Sequence, residues 1–413
     1  MKGSEILQLI ILLLVIADFF WEQWLKYLNA KRLDAPIPGE VRDIYEPEEY
    51  RRSLEYNRAN YRFSCIRAWF SFVLLILMLA FGGFGYLDAW VRTLTDNPYQ
   101  QALLFFGILF GVSFLLSLPF DYYDTFVIEE KFGFNRSRLK TFIADQIKSF
   151  LLTILLGGGI LFLVQMFYLQ TGKSFWWIAW LTVSVILLII NLLYSDLIVP
   201  LFNRQMPLPE GELRDRIFKT AKKAGFSLKD IYVIDGSKRS TKANAYFSGF
   251  GPRKRIVLYD TLIDQLTTEE ILAVLAHEIG HYKHKHILRQ MLLTVALTGV
   301  SFYLFSLVID NSSVAEALGT NHPSFHIGLV AFALLYQPFS RLTGWLLNRL
   351  SRKYEFQADR FAAGMQLSGD LISALKKMAA KHLSNLTPHP LYVEVHYSHL
   401  PLHERIKNLS NEK

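Results

Sequence analysis

The sequence predicts a mainly α-helical membrane protein that crosses the bilayer seven times and carries a small α+β unit on one side. Of the 413 residues, 52% are hydrophobic and the mean hydropathy is positive. That balance indicates that lipid is part of the solvent. The apolar residues fall into seven blocks of roughly twenty residues, about the length that a helix needs to cross the hydrocarbon layer.

Seven apolar blocks define the predicted spans. They cover residues 6–21, 66–87, 102–120, 150–169, 176–200, 292–309 and 325–342. The first block could be a removable signal, but no small-residue cleavage site follows it, and Asp18 and Trp21 stand where cleavage would fall. We therefore interpret it as a retained anchor.

Basic residues are distributed by membrane side. Segments 26–67 and 121–148 are rich in Lys and Arg, whereas the connections at 88–100, 172–173 and 310–324 have at most one such residue each. By the positive-inside rule, the first two segments are cytoplasmic and the other three face outward, with the N-terminus outside. The net charge of +8 is therefore a topology signal, and we predict no nucleic-acid partner.

Polar side chains within the spans have two interpretations. They are Asp18, Glu22, Asp121, Asp124, Asn191, Asp196 and Arg341. Because such groups are costly against lipid, they should face a bundle interior, a water-filled cavity or the interface. The alternative is that they lie at helix ends near the headgroups.

The chain divides into two predicted domains. Residues 1–202 form a membrane domain with five spans, and residues 203–413 form a second domain that includes spans six and seven. Between spans five and six lies a long polar insert, residues 203–289, which should be cytoplasmic together with the C-terminal region.

The polar insert has the pattern of an α+β unit. Residues 212–225 show helical spacing with a closing glycine. Three short predicted strands begin at Asp230, Asn244 and Lys254. Thr267 and Glu270, three residues apart, form a capping box that predicts the start of a further helix.

That helix carries an HExxH motif. His277 and His281 stand four residues apart, so they project from one helix face. Glu278 lies beside them, where it can act as general base without being a ligand. Zinc fits this set best, because it takes imidazole and carboxylate ligands and supports hydrolysis without redox chemistry. The alternative is two histidines on a solvated helix face.

A third zinc ligand has two candidates. His284 lies on the same face, but it is two turns beyond His277, roughly 10 Å along the axis, so one ion cannot easily bind both. Glu355 lies in a helical stretch that continues from the seventh span, and Asp359 follows one turn later, where a carboxylate can orient a ligating histidine. We interpret the basic positions after the motif as a cytoplasmic interfacial cluster: His284, Lys285 and His286.

The sequence resembles the type I CaaX prenyl endopeptidases over nearly the whole chain. The resemblance rests on FVIEEKFGFNRSRLKTFIADQIK, DGSKRSTKANAYFSGFGPRKRIVLYDTLI, AHEIGH, EFQADRFA and SHLPLHERI. It implies seven helices around a large intramembrane chamber, with a gluzincin-like metalloprotease unit at its cytoplasmic end.

The resemblance also implies roles for individual residues. The expected ligands of one zinc ion per chain are His277, His281 and Glu355. Glu278 is the expected base, and Asp359 would support a ligand. Asn244 and Ala245 match an edge strand that pairs with the substrate backbone. His399 and Arg405 match a pair that stabilises the oxyanion, although Leu400 separates His399 from the proline that follows directly in the family pattern.

The expected function is hydrolysis of a peptide bond near the C-terminus of lipidated substrates. One alternative is a zinc protease for quality control of membrane proteins, and another is a transporter or lipid-binding protein with structural zinc. We expect a monomer whose active site faces the cytoplasm. The C-terminus has no retrieval tetrapeptide, which favours a bacterial inner membrane over the endoplasmic reticulum.

Overall fold

Long apolar helices form a bundle that carries a smaller mixed α/β unit at one end. The structure, a computed structural model, describes residues 2–248 and 255–411. The helices are α1 (Gly3–Lys31), α2 (Pro47–Ala80), α3 (Gly83–Leu94), α4 (Pro98–Tyr123), α5 (Leu139–Thr171), α6 (Phe175–Leu193), α7 (Val199–Phe202), α8 (Glu212–Lys223), α9 (Asp260–Gln265), α10 (Thr268–Lys283), α11 (His286–Val308), α12 (Ser312–Ala317), α13 (Phe325–Leu335), α14 (Gln337–Gly364), α15 (Ser368–Lys381), α16 (Pro390–His396) and α17 (Leu402–Asn411).

Six of these helices match the first six predicted spans. In the described part of the chain, α1, α2, α4, α5, α6 and α11 are long and apolar enough to cross a membrane. In the most apolar 18-residue stretch of each helix, at most 17% of the residues are buried inside the protein. Most of their apolar surface therefore faces lipid or an internal space, and the chamber itself stays a prediction.

The seventh predicted span, residues 325–342, is interrupted. Its apolar part is the 11-residue helix α13, and a new helix, α14, begins at Gln337. Pro338 explains the break, because proline has no backbone N–H to donate to the carbonyl four residues earlier. The span is therefore built from α13 together with the start of α14.

Connections predicted to face outward meet at one end of the bundle. Asp88 of α3 is buried and accepts a hydrogen bond from Thr320 Oγ1 at 2.9 Å, and it lies 2.7 Å from His326 Nε2. Burial disfavours the Asp88 carboxylate, but hydrogen bonds from His326, Arg92 and Thr320 outweigh burial and lower its pKa to about 2. The loops at 88–100 and 310–324 are thus joined by a charged, fully buried contact.

Basic segments predicted to be cytoplasmic pack against the α/β unit at the other end. Tyr45 OH donates a hydrogen bond to the carbonyl of Ala379 at 2.8 Å. Asn135, in the second basic segment, forms an isolated antiparallel β-bridge with Ser240. Helix α11 starts at this end and runs 23 residues, roughly 34 Å at about 1.5 Å per residue. The two ends therefore lie about one bilayer thickness apart.

Charged side chains in the spans pair with one another. Arg341 of α14 binds both carboxylate oxygens of Asp18, at 2.7 and 3.0 Å, and lies 3.0 Å from Glu22 Oε2. Arg67 of α2 lies 3.0 Å from Asp121 of α4. These carboxylates therefore meet a guanidinium from a neighbouring helix, as the cost of an isolated charge near lipid requires.

A four-stranded mixed sheet organises the polar insert. The strands are β1 (Gln205–Pro207), β2 (Asp230–Ile234), β3 (Ala245–Ser248) and β4 (Arg255–Tyr259), in the order β1-β2-β4-β3. The three predicted strands correspond to β2, β3 and β4, although their parts at 249–254 lie outside the described residues. Strand β1 was not predicted, because three residues ending in proline are too short to show the alternation of apolar and polar residues that marks a strand. Strand β3 lies at one edge of the sheet.

Helix α10 occupies the centre of the α/β unit. It begins with the predicted capping box, in which Thr267 Oγ1 accepts from the Glu270 N–H and Glu270 accepts from the Thr267 N–H. Lys377 and Ser373 of α15 also bind the buried Glu270 carboxylate. The start of the motif-bearing helix is therefore fixed both locally and by a neighbouring helix.

Candidate metal centre

Close packing of α10 against α14 brings the two halves of the predicted site together. A Cβ on Gly280 would lie 3.0 Å from Ala358 Cα and 3.0 Å from Phe361 Cβ, and 3.2 Å from the Ala358 carbonyl oxygen. Only glycine allows the backbones to approach this closely. Gly280, within the HExxH motif, thus sets the separation between the two helices.

We expect Gly280→Ala to lower the free energy of unfolding by about 1–3 kcal/mol, because the added methyl group overpacks a backbone contact. The measurement is the thermal or denaturant unfolding of purified protein. The matched control is Gly364→Ala at the end of α14, where an added Cβ meets nothing within 4 Å. Equal stability of the two variants would contradict the assigned role of this contact.

The three predicted ligands converge on one point. His277 Nε2 lies 3.2 Å from His281 Nε2. Glu355 places Oε2 at 3.6 Å from His277 Nε2 and Oε1 at 3.3 Å from His281 Nε2. Donor atoms around a tetrahedral zinc ion at about 2.0–2.1 Å lie roughly 3.3 Å from one another. Each imidazole therefore lies at about this distance from the other imidazole and from one oxygen of the Glu355 carboxylate.

Charge at this site also suits a cation. Glu355 is 2% exposed, and its Oε2 is a buried oxygen that makes no hydrogen bond within the described residues. Burial opposes ionisation of Glu355, but contacts with His281 and His399 and the charge of Arg405 outweigh it and hold its pKa below the usual range. The site thus presents a buried, ionised carboxylate beside two imidazoles, and these residues fit a zinc ion.

Asp359 lies behind His277 and is held by Arg405. Asp359 Oδ1 is 2.8 Å from His277 Nδ1. The Arg405 guanidinium binds both oxygens of Asp359, at 2.5 and 2.9 Å. Burial disfavours the Asp359 charge, yet the bonds from His277 and Arg405 keep its pKa below the usual value. This arrangement fixes His277 with Nε2 directed at the ligand cluster.

Two further predicted residues stand at the open side of the cluster. His399 is 69% exposed, and its Nδ1 lies 3.0 Å from Glu355 Oε2. Glu278 is half-buried and close enough for its charge to act on both His399 and Arg405. Arg405 Nη1 lies 3.6 Å from Glu355 Oε2. His399 and Arg405 therefore both lie beside the Glu355 carboxylate.

Asn244 and Ala245 lie at the start of the edge strand β3. The Asn244 carbonyl accepts a hydrogen bond from the Tyr259 N–H at 3.0 Å, so this end of β3 is anchored to β4. Asn244 itself is exposed. In the described part of the sheet, the other side of β3 has no paired strand.

Comparisons with known proteins decide the family. The N-terminal family described as "CAAX prenyl protease N-terminal, five membrane helices" matches residues 26–204, and Peptidase family M48 matches residues 207–413. CAAX prenyl protease 1 of Saccharomyces cerevisiae is 34% identical over 95% of this chain and 93% of its own length, and the Dictyostelium discoideum homolog is 36% identical over 96% and 95%. The crystal structure of S. mikatae Ste24p superposes with a TM-score of 0.92 at 34% identity, covering 98% of this chain and 99% of that one.

The chain belongs to the CAAX prenyl protease 1 family. It is accordingly an integral multi-pass membrane protein and a zinc metalloprotease of the CAAX prenyl protease type. This confirms the predicted family, fold class and enzyme class. The alternative of a transporter with structural zinc is excluded by the same finding.

One interpretation of the sequence was wrong for this CAAX prenyl protease. His284 and Lys285 are exposed, as an interfacial cluster requires, but His286 is 2% exposed and its Nδ1 lies 3.1 Å from His281 Nδ1. Lys285 adopts a left-handed backbone conformation with φ +56°, which separates α10 from α11 and turns His286 inward. No sequence pattern predicts that turn.

Arg352 is a second residue that the sequence did not single out. It is 6% exposed, and its Nη1 donates to the carbonyls of Val393, Glu394 and Tyr397 at 2.7–3.1 Å. Nη2 binds the Glu394 carboxylate at 2.5 Å. This segment leads directly to His399, so Arg352 helps to hold His399 in position. Arg352 lies one turn before Glu355 on α14.

Proposed function

We propose that this CAAX prenyl protease holds one zinc ion per chain through His277, His281 and Glu355, and cleaves a peptide bond near the C-terminus of prenylated proteins. The observation that carries the proposal is the convergence of three ligand atoms from α10 and α14, all within 4.8 Å of one another. The zinc ion, when bound, supplies a Lewis acid that polarises the scissile carbonyl and makes water nucleophilic at neutral pH.

Glu278 is the proposed general base. Glu278 is the next residue after His277 on α10 and is not one of the three proposed ligands. The carboxylate takes a proton from the attacking water and passes it to the amine that leaves. Asp359 holds His277 in position throughout, through the contact at 2.8 Å.

His399 and Arg405 are the proposed donors to the oxyanion. The proposal is supported by their nitrogen atoms lying 3.0 and 3.6 Å from Glu355 Oε2, since donors beside the metal ligands can act on charge that develops on the carbonyl oxygen. Arg405 also orients Asp359, so its removal would affect metal binding as well as the reaction.

Asn244 and Ala245 are the proposed contacts to the substrate backbone. They begin an edge strand, and an extended peptide can add to such an edge by main-chain hydrogen bonds. The hydrogen bond between Asn244 and Tyr259 ties this part of the edge to β4.

A prenyl preference is the substrate prediction. The names of the relatives support it, since the proteins from S. cerevisiae and Dictyostelium are CAAX prenyl proteases. We expect a farnesylated CaaX peptide to be cleaved with a kcat/KM about tenfold or more above that of its unprenylated twin, because each buried CH₂ contributes about 0.8 kcal/mol. The assay uses purified zinc-loaded protein and identifies the released C-terminal fragment by mass.

The unprenylated peptide is the matched control in that assay. Equal kcat/KM values for the two peptides would remove the prenyl preference and favour the quality-control alternative. Loss of both activities on treatment with a chelator, and their return with added zinc, are expected for either substrate class.

The active site should face the cytoplasm. The packing of both basic segments against the α/β unit supports this orientation, since basic segments stay on the cytoplasmic side. The monomer expected from the sequence stays a prediction. The sequence-based preference for a bacterial inner membrane stays a prediction, and the eukaryotic organisms of the relatives make the endoplasmic reticulum its direct alternative.

A further inference from the structure

His286 is a buried histidine that the proposed mechanism does not use. It is the first residue of α11, and its ring stacks on that of Tyr354 with centroids 4.0 Å apart and an interplanar angle of 11°. Both ring nitrogens have partners. Nδ1 lies 3.1 Å from His281 Nδ1, and Nε2 lies 2.7 Å from Gln357 Oε1. His286 therefore uses both ring nitrogens and contacts His281, one of the proposed zinc ligands.

The hydrogen bonds run in one consistent direction. If His281 binds the ion through Nε2, its Nδ1 carries the proton. That N–H donates to Nδ1 of His286. The proton of His286 is then on Nε2, where it donates to the side-chain carbonyl of Gln357. The His281–His286 contact and the His286–Gln357 contact therefore each have one donor and one acceptor.

The two histidine ligands are therefore supported in parallel ways. His277 donates from Nδ1 to Asp359, which Arg405 holds. His281 donates from Nδ1 to His286, which Gln357 holds. Helix α14 supplies Asp359 and Gln357, so one helix that already carries a ligand also anchors the support of both imidazoles.

We propose that His286 is a positioning residue that fixes the ring of His281 and its Nδ1 proton, and that Gln357 fixes His286. The proposal rests on the ligand assignment made above. Partners of this kind set the orientation and basicity of a ligating imidazole, and their loss lowers metal affinity by about 10–100-fold.

The test compares His286→Phe with His286→Asn. Phenylalanine keeps the stack on Tyr354 but removes both hydrogen bonds. Asparagine places an oxygen one bond from Cγ, where Nδ1 of histidine stands, so it can accept from His281 but cannot reach Gln357. We expect the phenylalanine variant to bind zinc about 10–100-fold more weakly, and the asparagine variant to stay within a few-fold of the parent.

The measurement is the zinc dissociation constant of the purified full-length protein, obtained by competition with a chelator of known affinity, alongside the unfolding temperature of the zinc-free form. His284→Phe is the control, since it removes a histidine from the same turn at an exposed position. Its zinc affinity should not change. Gln357→Leu leaves His286 in place without its Nε2 partner, so it should weaken zinc binding less than His286→Phe does.

Wild-type zinc affinity in the His286→Phe variant would overturn the proposal. So would a loss that is equal in the asparagine and phenylalanine variants, because packing would then explain it. Failure of the ligand assignment looks different: the parent protein would bind no zinc, or His284→Phe would lose it.

Discussion

Glu278→Gln should lower kcat for peptide cleavage by about 10²–10⁴-fold while the protein still binds one equivalent of zinc. The amide has nearly the shape of the carboxylate but cannot accept the proton of the attacking water, and general-base catalysis contributes roughly this factor. The ligands His277, His281 and Glu355 are untouched. The measurements are steady-state cleavage of a farnesylated peptide and elemental analysis of bound zinc.

Glu269→Gln is the matched control for that variant. It makes the same substitution on the same helix, at a side chain that is half exposed and paired with Arg216 of α8. Its activity should equal that of the parent. Substantial hydrolysis by the Glu278 variant, measured beside this control, would show that another group accepts the proton.

Glu355→Gln should remove zinc from the protein and activity with it. The change replaces the carboxylate that completes the ligand set, and it leaves Arg405 near a neutral amide at a buried position. Loss of a partner that only orients a ligand lowers metal affinity by about 10–100-fold. Loss of the ligand Glu355 should lower zinc affinity by more than that. Zinc content after exposure to a mild chelator measures this directly.

Asp359→Asn is compared with Glu355→Gln because it should lower zinc affinity by a smaller factor. Asparagine can still accept a hydrogen bond from His277 Nδ1, so we expect the smaller loss of about 10–100-fold and recovery of activity at high zinc. Parent-like zinc binding by the Glu355 variant would place the third ligand elsewhere, and would remove the basis for the proposed mechanism.

Local patterns predicted most of the fold and the arrangement of the site. The HExxH helix, its capping box at Thr267, and six spans depend on contacts between residues a few positions apart, which a sequence displays directly. Glu355 was chosen as the third ligand because His284 lies too far along the helix axis from His277 and because Glu355 is on the helical stretch that continues from the seventh span. The roles of Glu278, His399 and Arg405 came from the family resemblance and stay proposals.

The features that the sequence did not predict depend on distant contacts. Burial of His286 requires the left-handed turn at Lys285 and a stacking partner, Tyr354, nearly seventy positions away. The role of Arg352 depends on backbone carbonyls of a segment that no local pattern places beside it. Strand β1 forms because β2 provides its hydrogen-bond partners, and three residues alone cannot signal that.

The separation of the ligands along the chain has a consequence for biosynthesis. During translation, the helix bearing His277 and His281 is made first, and Glu355 follows only after the polypeptide has crossed the bilayer and returned. Arg405, which secures Asp359, is made later still. A nascent chain therefore lacks a complete ligand set until span seven has been made, and Asp359 lacks its Arg405 partner until the last helix has followed.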